Sequence, residues 1–293
     1  MTNCRLLLVI ICPIQPAGTN MLNQEQKTEF HKNGYLLVES VFTTEESAKL
    51  RLDLMNIFDS DSTFEGDENG GNGSRSTRNN LWTRYPQLRW LMEHKKFIAC
   101  IKSIAGDDAA LIPEMGAHKS GYGGWHKDTG SQESRGHMFQ WERDFLMFNA
   151  AIYLQENGSS GGGLDVVPGS HNEPDKIAGR PNFWKKLQQK ALQLGLIKSI
   201  KPYNPSGYSI PNKVGDLVLF NFRIVHRSTP HAGALPETTK YALFFACSAN
   251  NEHAISYTNY IRTRSGYKYF NDNPLYTDEV KAIASSCNLR LVE

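Results

Sequence analysis

The second half of the chain is built from short apolar runs, and this constrains the fold more than any other feature. Residues 145–154, 163–167, 213–222 and 241–249 are rich in β-branched and aromatic side chains, and Gly, Pro, Asn or Ser bounds each of them. Short strands punctuated by turn formers predict an antiparallel sandwich or barrel. The chain before residue 110 reads differently. Asn23 caps a predicted helix that runs to Lys32, Gly34 breaks it, and residues 35–42 read as a strand. Thr43-Thr44-Glu45-Glu46 is an N-cap with acids in the first turn, opening a helix that runs to Phe58. Residues 88–105 suit one or two more helices. The fold class expected is mainly β with flanking helices.

Two stretches interrupt this order. Residues 59–80 are rich in Gly, Asn, Asp and Ser and predict a mobile loop inside the domain. Residues 172–212 form an insertion in which 182–200 carry a helical apolar pattern, a lid or a simple surface addition. Residues 21–293 are read as one domain. Residues 1–20 are read as an extension: an apolar run at 6–14 follows Arg5 and mimics a short signal peptide, although Met21 opens the first convincing helix. No later segment is long and apolar enough for a membrane span, so no membrane partner is expected.

Charge and cysteine usage narrow the function classes. Lys+Arg (32) and Asp+Glu (30) nearly cancel to a net +2, which leaves no basic footprint for nucleic acid. The five cysteines are scattered and form no C-x-x-C pair, which argues against a disulfide framework or a Cys-rich zinc site. A reducing, cytoplasmic setting is expected, with export as the alternative if residues 1–20 act as a signal.

The chemistry concentrates in Gly121-Tyr122-Gly123-Gly124-Trp125-His126-Lys127-Asp128. On a strand, His126 and Asp128 share a face and Lys127 points the other way, to solvent or to the rim of a site. An imidazole and a carboxylate make two legs of a metal site. His226, at the end of a turn-and-buried-strand pattern over 214–228, is the candidate third. Two His and one carboxylate are the facial triad of non-haem Fe(II) oxygenases. Zinc accepts the same donors, so a metal-dependent hydrolase stays open. Serine hydrolysis does not, because no G-x-S-x-G elbow is present. Asn149 and Tyr153 share a strand face with Ala151 and either line the pocket or fill the barrel. His118, His137, His231 and His253 lie outside a ligand pattern and read as packing or surface residues.

Further motifs accompany the triad. Gly163-Leu164-Asp165-Val166-Val167-Pro168-Gly169-Ser170-His171 lies between its members, Gly215-Asp216 precedes the distal His, and Glu29-Phe30-His31-Lys32-Asn33-Gly34-Tyr35-Leu36-Leu37-Val38-Glu39 opens the series. Over about residues 24–249 the chain resembles the phytanoyl-CoA dioxygenase family of Fe(II)/2-oxoglutarate oxygenases. The resemblance implies a double-stranded β-helix, a cupin-like jelly roll with helices outside. It implies that His126, Asp128 and His226 match the iron ligands. It also implies that 2-oxoglutarate and O2 are consumed, succinate and CO2 released, and a C–H bond of a small-molecule metabolite oxidised. Asp128 stands where related halogenases have a small residue, which favours hydroxylation.

One departure stands out. The family places an Arg after the distal His to clamp the far carboxylate of 2-oxoglutarate, and here that position holds Lys240, a point charge without the bidentate fork. Arg227 is the competing clamp, but an extended chain turns it away from His226. A missing clamp Arg also suits a non-catalytic jelly-roll binding module. The tail residues Tyr257, Tyr260, Arg262, Arg264, Tyr267, Lys268 and Tyr269 either hold an anionic substrate or form a solvated surface.

Overall fold

The computed structural model describes residues 22–61, 77–120, 123–158, 161–174, 187, 190–191, 194–196, 204–231, 239–272 and 274–293. The expected extension at 1–20, most of the loop at 59–80 and most of the helix at 182–200 lie outside the described residues.

Local signals set the N-terminal elements. Asn23 and Gln26 form a reciprocal capping box that starts the helix Gln24–Asn33, and Gly34 ends it in the left-handed conformation at φ 81°. Thr43 and Glu46 form a second box at the head of the helix Thr44–Ser60. The 88–105 pattern resolves into a 3-10 helix, Pro86–Met92, and an α-helix, Lys95–Ala105. The strand expected over 35–42 stops at Val38. Beyond it, Ser40 takes φ 52° and donates its N–H to the Asp216 carboxylate, which leaves the ladder for a turn.

Among the described residues the strands are β1 (Tyr35–Val38), β2 (Thr77–Asn79), β3 (Ala110–Lys119), β4 (Met147–Tyr153), β5 (Leu164–Val167), β6 (Tyr208–Ser209), β7 (Leu217–Asn221), β8 (Val225–Ser228), β9 (Tyr241–Ser248) and β10 (Arg290–Leu291). The larger sheet has the order β1-β7-β4-β9-β3-β10, with β2 also paired to β3, and the smaller has the order β6-β5-β8. The two sheets form the double-stranded β-helix that the resemblance implies.

The inner strands read as continuous apolar runs because both faces are covered. On β4, Phe148, Ala150 and Ile152 pack under the helices, with Leu217 and Leu219 of β7 and Leu243, Phe245 and Cys247 of β9. The alternate residues Ala151 and Tyr153 face inward, with Val218, Phe220, Leu164 and Val166. A third cluster joins Ala110, Ile112 and Met147 to a C-terminal helix, Glu252–Arg262, through Tyr257, Tyr260 and Ile261. Burying a residue such as Phe148 or Leu219 contributes about 1.5–3 kcal/mol.

Two parts departed from the expected pattern. β3 is the longest strand, yet its sequence breaks the strand texture with Pro113 and Gly116. Its register to β9 shifts between Leu111 and Met115, so Pro113 falls where its missing N–H interrupts no regular ladder. The tail is only partly a solvated surface: Tyr257 and Tyr260 are buried, Arg262, Arg264, Tyr267 and Tyr269 are half-buried, and Lys268 is exposed. Among the described residues, no helix is long and apolar enough to cross a membrane.

Candidate metal centre

His226 is the second residue of β8 and pairs across to Val166 of β5. On its free side, it forms an isolated antiparallel bridge with His126. The strand expected for 126–128 is therefore one bridge wide. The chain turns immediately, with Asp128 N–H donating to the Phe222 carbonyl at 3.0 Å and Gly130 N–H to the Lys127 carbonyl at 3.0 Å. The turn, rather than strand alternation, swings Asp128 beside the two rings. One ligand atom from each of His126, Asp128 and His226 lies within 4.8 Å of the others.

Lys127 is neither solvated nor at the rim. It is 3% exposed, and its ammonium donates to the carbonyls of Ser170 (2.8 Å) and Glu173. Ser170 in turn accepts from the Val225 N–H through its hydroxyl at 2.8 Å. The two ligand segments are thus stitched to one loop from both sides.

The donor set fits a cation. His126 Nδ1 lies 2.7 Å from the Gly124 carbonyl and His226 Nδ1 lies 3.0 Å from the Ile224 carbonyl. A carbonyl only accepts, so each Nδ1 carries the proton and a neutral ring presents a bare lone pair at Nε2. Burial, with the neighbouring His126, holds the His226 imidazole well below its ordinary range and hence neutral. The Nε2 atoms of His126 and His226 lie 3.7 and 3.6 Å from the same Asp128 oxygen, Oδ1. Lone pairs facing one another at that spacing repel unless a cation sits between them. Asn149 donates to the other oxygen, Asp128 Oδ2, at 2.9 Å, which leaves Oδ1 turned toward the rings. Burial raises the Asp128 carboxyl; His126, Arg264 and the Asn149 hydrogen bond work against this.

The triad opens into a cavity of about 660 Å³, lined also by Asn149, Tyr153, Phe220, Phe244 and Ser228. A smaller chamber adjoins it and shares His118, Tyr153, Ser228 and Phe244 with it. Lys240 lines that chamber, with its ammonium donating to the Gly161 carbonyl at 2.6 Å. The Tyr153 hydroxyl is buried and makes no hydrogen bond among the described residues. Arg227 points elsewhere: it pairs with Asp165 at 2.9 Å and lies over the Trp125 ring at 4.5 Å.

Among the titratable cavity residues, Glu114 escaped the sequence reading, His118 was read as packing or surface, and Tyr267 was left between substrate contact and solvated surface. Glu114 and His118, spaced along β3, and Tyr267 from the C-terminal tail all line the cavity. The signal for Glu114 and His118 was alternation, Glu114-x-Gly116-x-His118, obscured by the unrecognised strand. His137, His231 and His253 do not line it.

The family model for phytanoyl-CoA dioxygenase (PhyH) matches residues 30–235. The chain belongs to the phytanoyl-CoA dioxygenase family. It is 21% identical over 236 residues to the ectoine dioxygenase of Bordetella bronchiseptica, spanning 76% of this chain and 75% of that one. Among solved structures, HygX from Streptomyces hygroscopicus, with nickel and 2-oxoglutarate bound, matches with a TM-score of 0.56 at 18% identity, over 78% of this chain and 88% of that one. EctD from S. alaskensis, with 2-oxoglutarate and 5-hydroxyectoine, matches with a TM-score of 0.54 at 17% identity, over 84% and 82%. These likenesses bear out the cupin-like fold. In this family member, the region matched by the family model includes Glu114, all three residues of the triad and Arg227, and it ends before Lys240.

Proposed function

We propose that the protein is an Fe(II)/2-oxoglutarate-dependent dioxygenase that hydroxylates a C–H bond of a small-molecule metabolite. The observation that carries this reading is the convergence of two imidazole lone pairs and Asp128 Oδ1 on one point at the wall of a cavity, beside a basic side chamber. His126, Asp128 and His226 would hold the iron. When bound, it supplies the coupling of O2 and 2-oxoglutarate to oxidation of the substrate, with succinate and CO2 as co-products.

The chain's own groups have separable tasks in this reading. The Gly124 and Ile224 carbonyls fix both ring tautomers, and Asn149 orients the carboxylate. Lys240 neutralises the far carboxylate of 2-oxoglutarate, at a position where burial in the chamber lowers its ammonium pKa. Tyr153, with its unpaired hydroxyl between cavity and chamber, donates to the same cosubstrate. Phe220 and Phe244 give the main cavity an apolar wall beside the metal ligands. The pairing of Arg227 with Asp165 and its packing over Trp125 favour Lys240 over Arg227 as the clamp.

The test is anaerobic. Metal-free protein receives Fe(II), then 2-oxoglutarate, and the visible charge-transfer band of a chelated keto-acid is sought. Its appearance, followed by substrate-dependent succinate release in air, supports the reading. Iron binding without the band would point instead to a metal-dependent hydrolase, and no binding of either to a ligand-binding module.

A further inference from the structure

The main cavity contains two carboxylates, Asp128 and Glu114, and among its described lining residues there is no Lys or Arg. Asp128 belongs to the triad. Glu114 stands apart from it on β3, and its role is not explained by the metal. We propose that Glu114 is the substrate-recognition residue and that the prime substrate is a small organic cation, an ammonium or amidinium, whose charged nitrogen docks on this carboxylate. This rests on the oxygenase reading and names the class of molecule that site would oxidise.

Glu114 is held in place before any substrate arrives. The hydroxyl of Tyr257 donates to its Oε2, and Tyr267 is hydrogen-bonded to it as well. Burial raises both phenols well above their ordinary range, so they remain donors. A carboxylate offers about four acceptor positions, so two hydroxyls leave room for further donors. If the sole task were to tie the C-terminal segment to the sheet, a neutral acceptor would do so without the cost of burying a charge. Burial raises the Glu114 carboxyl above its ordinary range, with Asp128 adding to this, while the Tyr257 and Tyr267 hydrogen bonds and Arg264 work against it; a docked cation would hold it ionised. Arg264 lies against the Tyr267 ring at 4.9 Å and is not among the residues lining the cavity, so it stands behind the wall.

The rest of the wall suits the organic part of such a cation. Phe222, Phe244, Met115 and Leu164 provide apolar surface, and aromatic faces attract a cation directly. Lys240 lines only the side chamber and Glu114 only the main cavity, so an anionic cosubstrate and a cationic substrate would be sorted to different places.

Matched probes test the proposal: benzamidine against benzamide, cyclohexylamine against cyclohexanol, and phenethylamine against 2-phenylethanol. Each is titrated by ligand-observed NMR into protein loaded with redox-inert Ni(II) and 2-oxoglutarate. The cationic twin of at least one pair should bind at least about tenfold more tightly, the size of one charge-assisted contact. Glu114→Gln, which keeps an acceptor for both tyrosines, should abolish that preference. Neutral twins binding as tightly in every pair, no cationic binder at all, or a preference that survives in Glu114→Gln would each overturn the proposal. The twin comparison needs only the wild-type protein, so a variant that fails to fold does not spare it. Repeating the panel on metal-free protein separates the two readings. Failure to load Ni(II) and 2-oxoglutarate, with the amine preference intact, sinks the oxygenase reading alone; loading without any preference sinks this one alone.

Discussion

His126 and His226 exchange both of their main-chain hydrogen bonds, each N–H donating to the other's carbonyl at 2.9 Å. Residues paired directly across an antiparallel bridge project their side chains to the same face. A single two-residue bridge therefore brings the two imidazoles together, with ring centroids 4.2 Å apart. The carboxylate that completes the triad arrives by a turn, and Asn149 on β4 holds it there.

Removing the carboxylate should empty the site without unfolding the chain. Asp128→Ala is expected to lower Co(II) or Fe(II) affinity by more than about a hundredfold and to abolish succinate formation. Asn149→Leu, which removes only the hydrogen bond to that carboxylate, should cost about 10- to 100-fold in metal affinity. Calorimetric titration reads both, and circular dichroism checks the fold. Wild-type metal affinity in Asp128→Ala would refute the metal assignment.

The two basic candidates should separate cleanly in kinetics. Lys240→Ala is expected to raise the 2-oxoglutarate KM about 10- to 100-fold, since a charge-assisted hydrogen bond contributes about 1.5–3 kcal/mol. Metal affinity should change far less. Arg227→Ala should leave that KM nearly alone, because its partners are Asp165 and Trp125. The reverse outcome would make Arg227 the clamp.

His118 should make the metal-free protein sensitive to acid. Burial pushes its imidazole down to about 4, whereas an unfolded chain titrates near the ordinary 6.5. Between those values the unfolded state binds the extra proton, so the contribution is complete above about 6.5 and is lost as the pH falls toward 4. His118→Gln should flatten the fall in Tm between pH 7 and pH 4.5. Equal slopes in both proteins would show that the ring titrates alike in both states.

Gly34 should tolerate no side chain. Its φ is 81°, and a Cβ there would meet His171 Nδ1 at 2.4 Å, in the loop that also anchors Lys127. Gly34→Ala is expected to destabilise the protein by about 1–3 kcal/mol, combining left-handed strain with a buried clash. Urea unfolding measures it, and an unchanged midpoint would mean that His171 moves aside freely.

Much of the fold was legible locally. Capping boxes at Asn23 and Thr43, the break at Gly34 and the apolar runs that became β4, β7 and β9 depend on near neighbours in sequence, and they formed where expected. The triad was legible as residue types at suggestive spacings. What misled was geometry: His126 and Asp128 were expected on a strand, and Lys127 at its outer side. The turn after a single bridge instead buried Lys127 against the Ser170 carbonyl. Glu114 and His118 were hidden because Pro113 and Gly116 broke the pattern that betrays a strand.

The sequence by itself determined the strand-rich class, the helix ends and the donors available to a metal, because propensity, capping and ligand chemistry are properties of single residues and their immediate neighbours. The tertiary structure alone decided which donors meet, which cation faces a chamber and which is neutralised by a carboxylate, and that a second carboxylate stands in the cavity wall. Those outcomes depend on pairings such as Val166 with His226 and Met115 with Phe245. Such contacts join residues far apart in the chain, and their burial and charge exist only once the two sheets have closed.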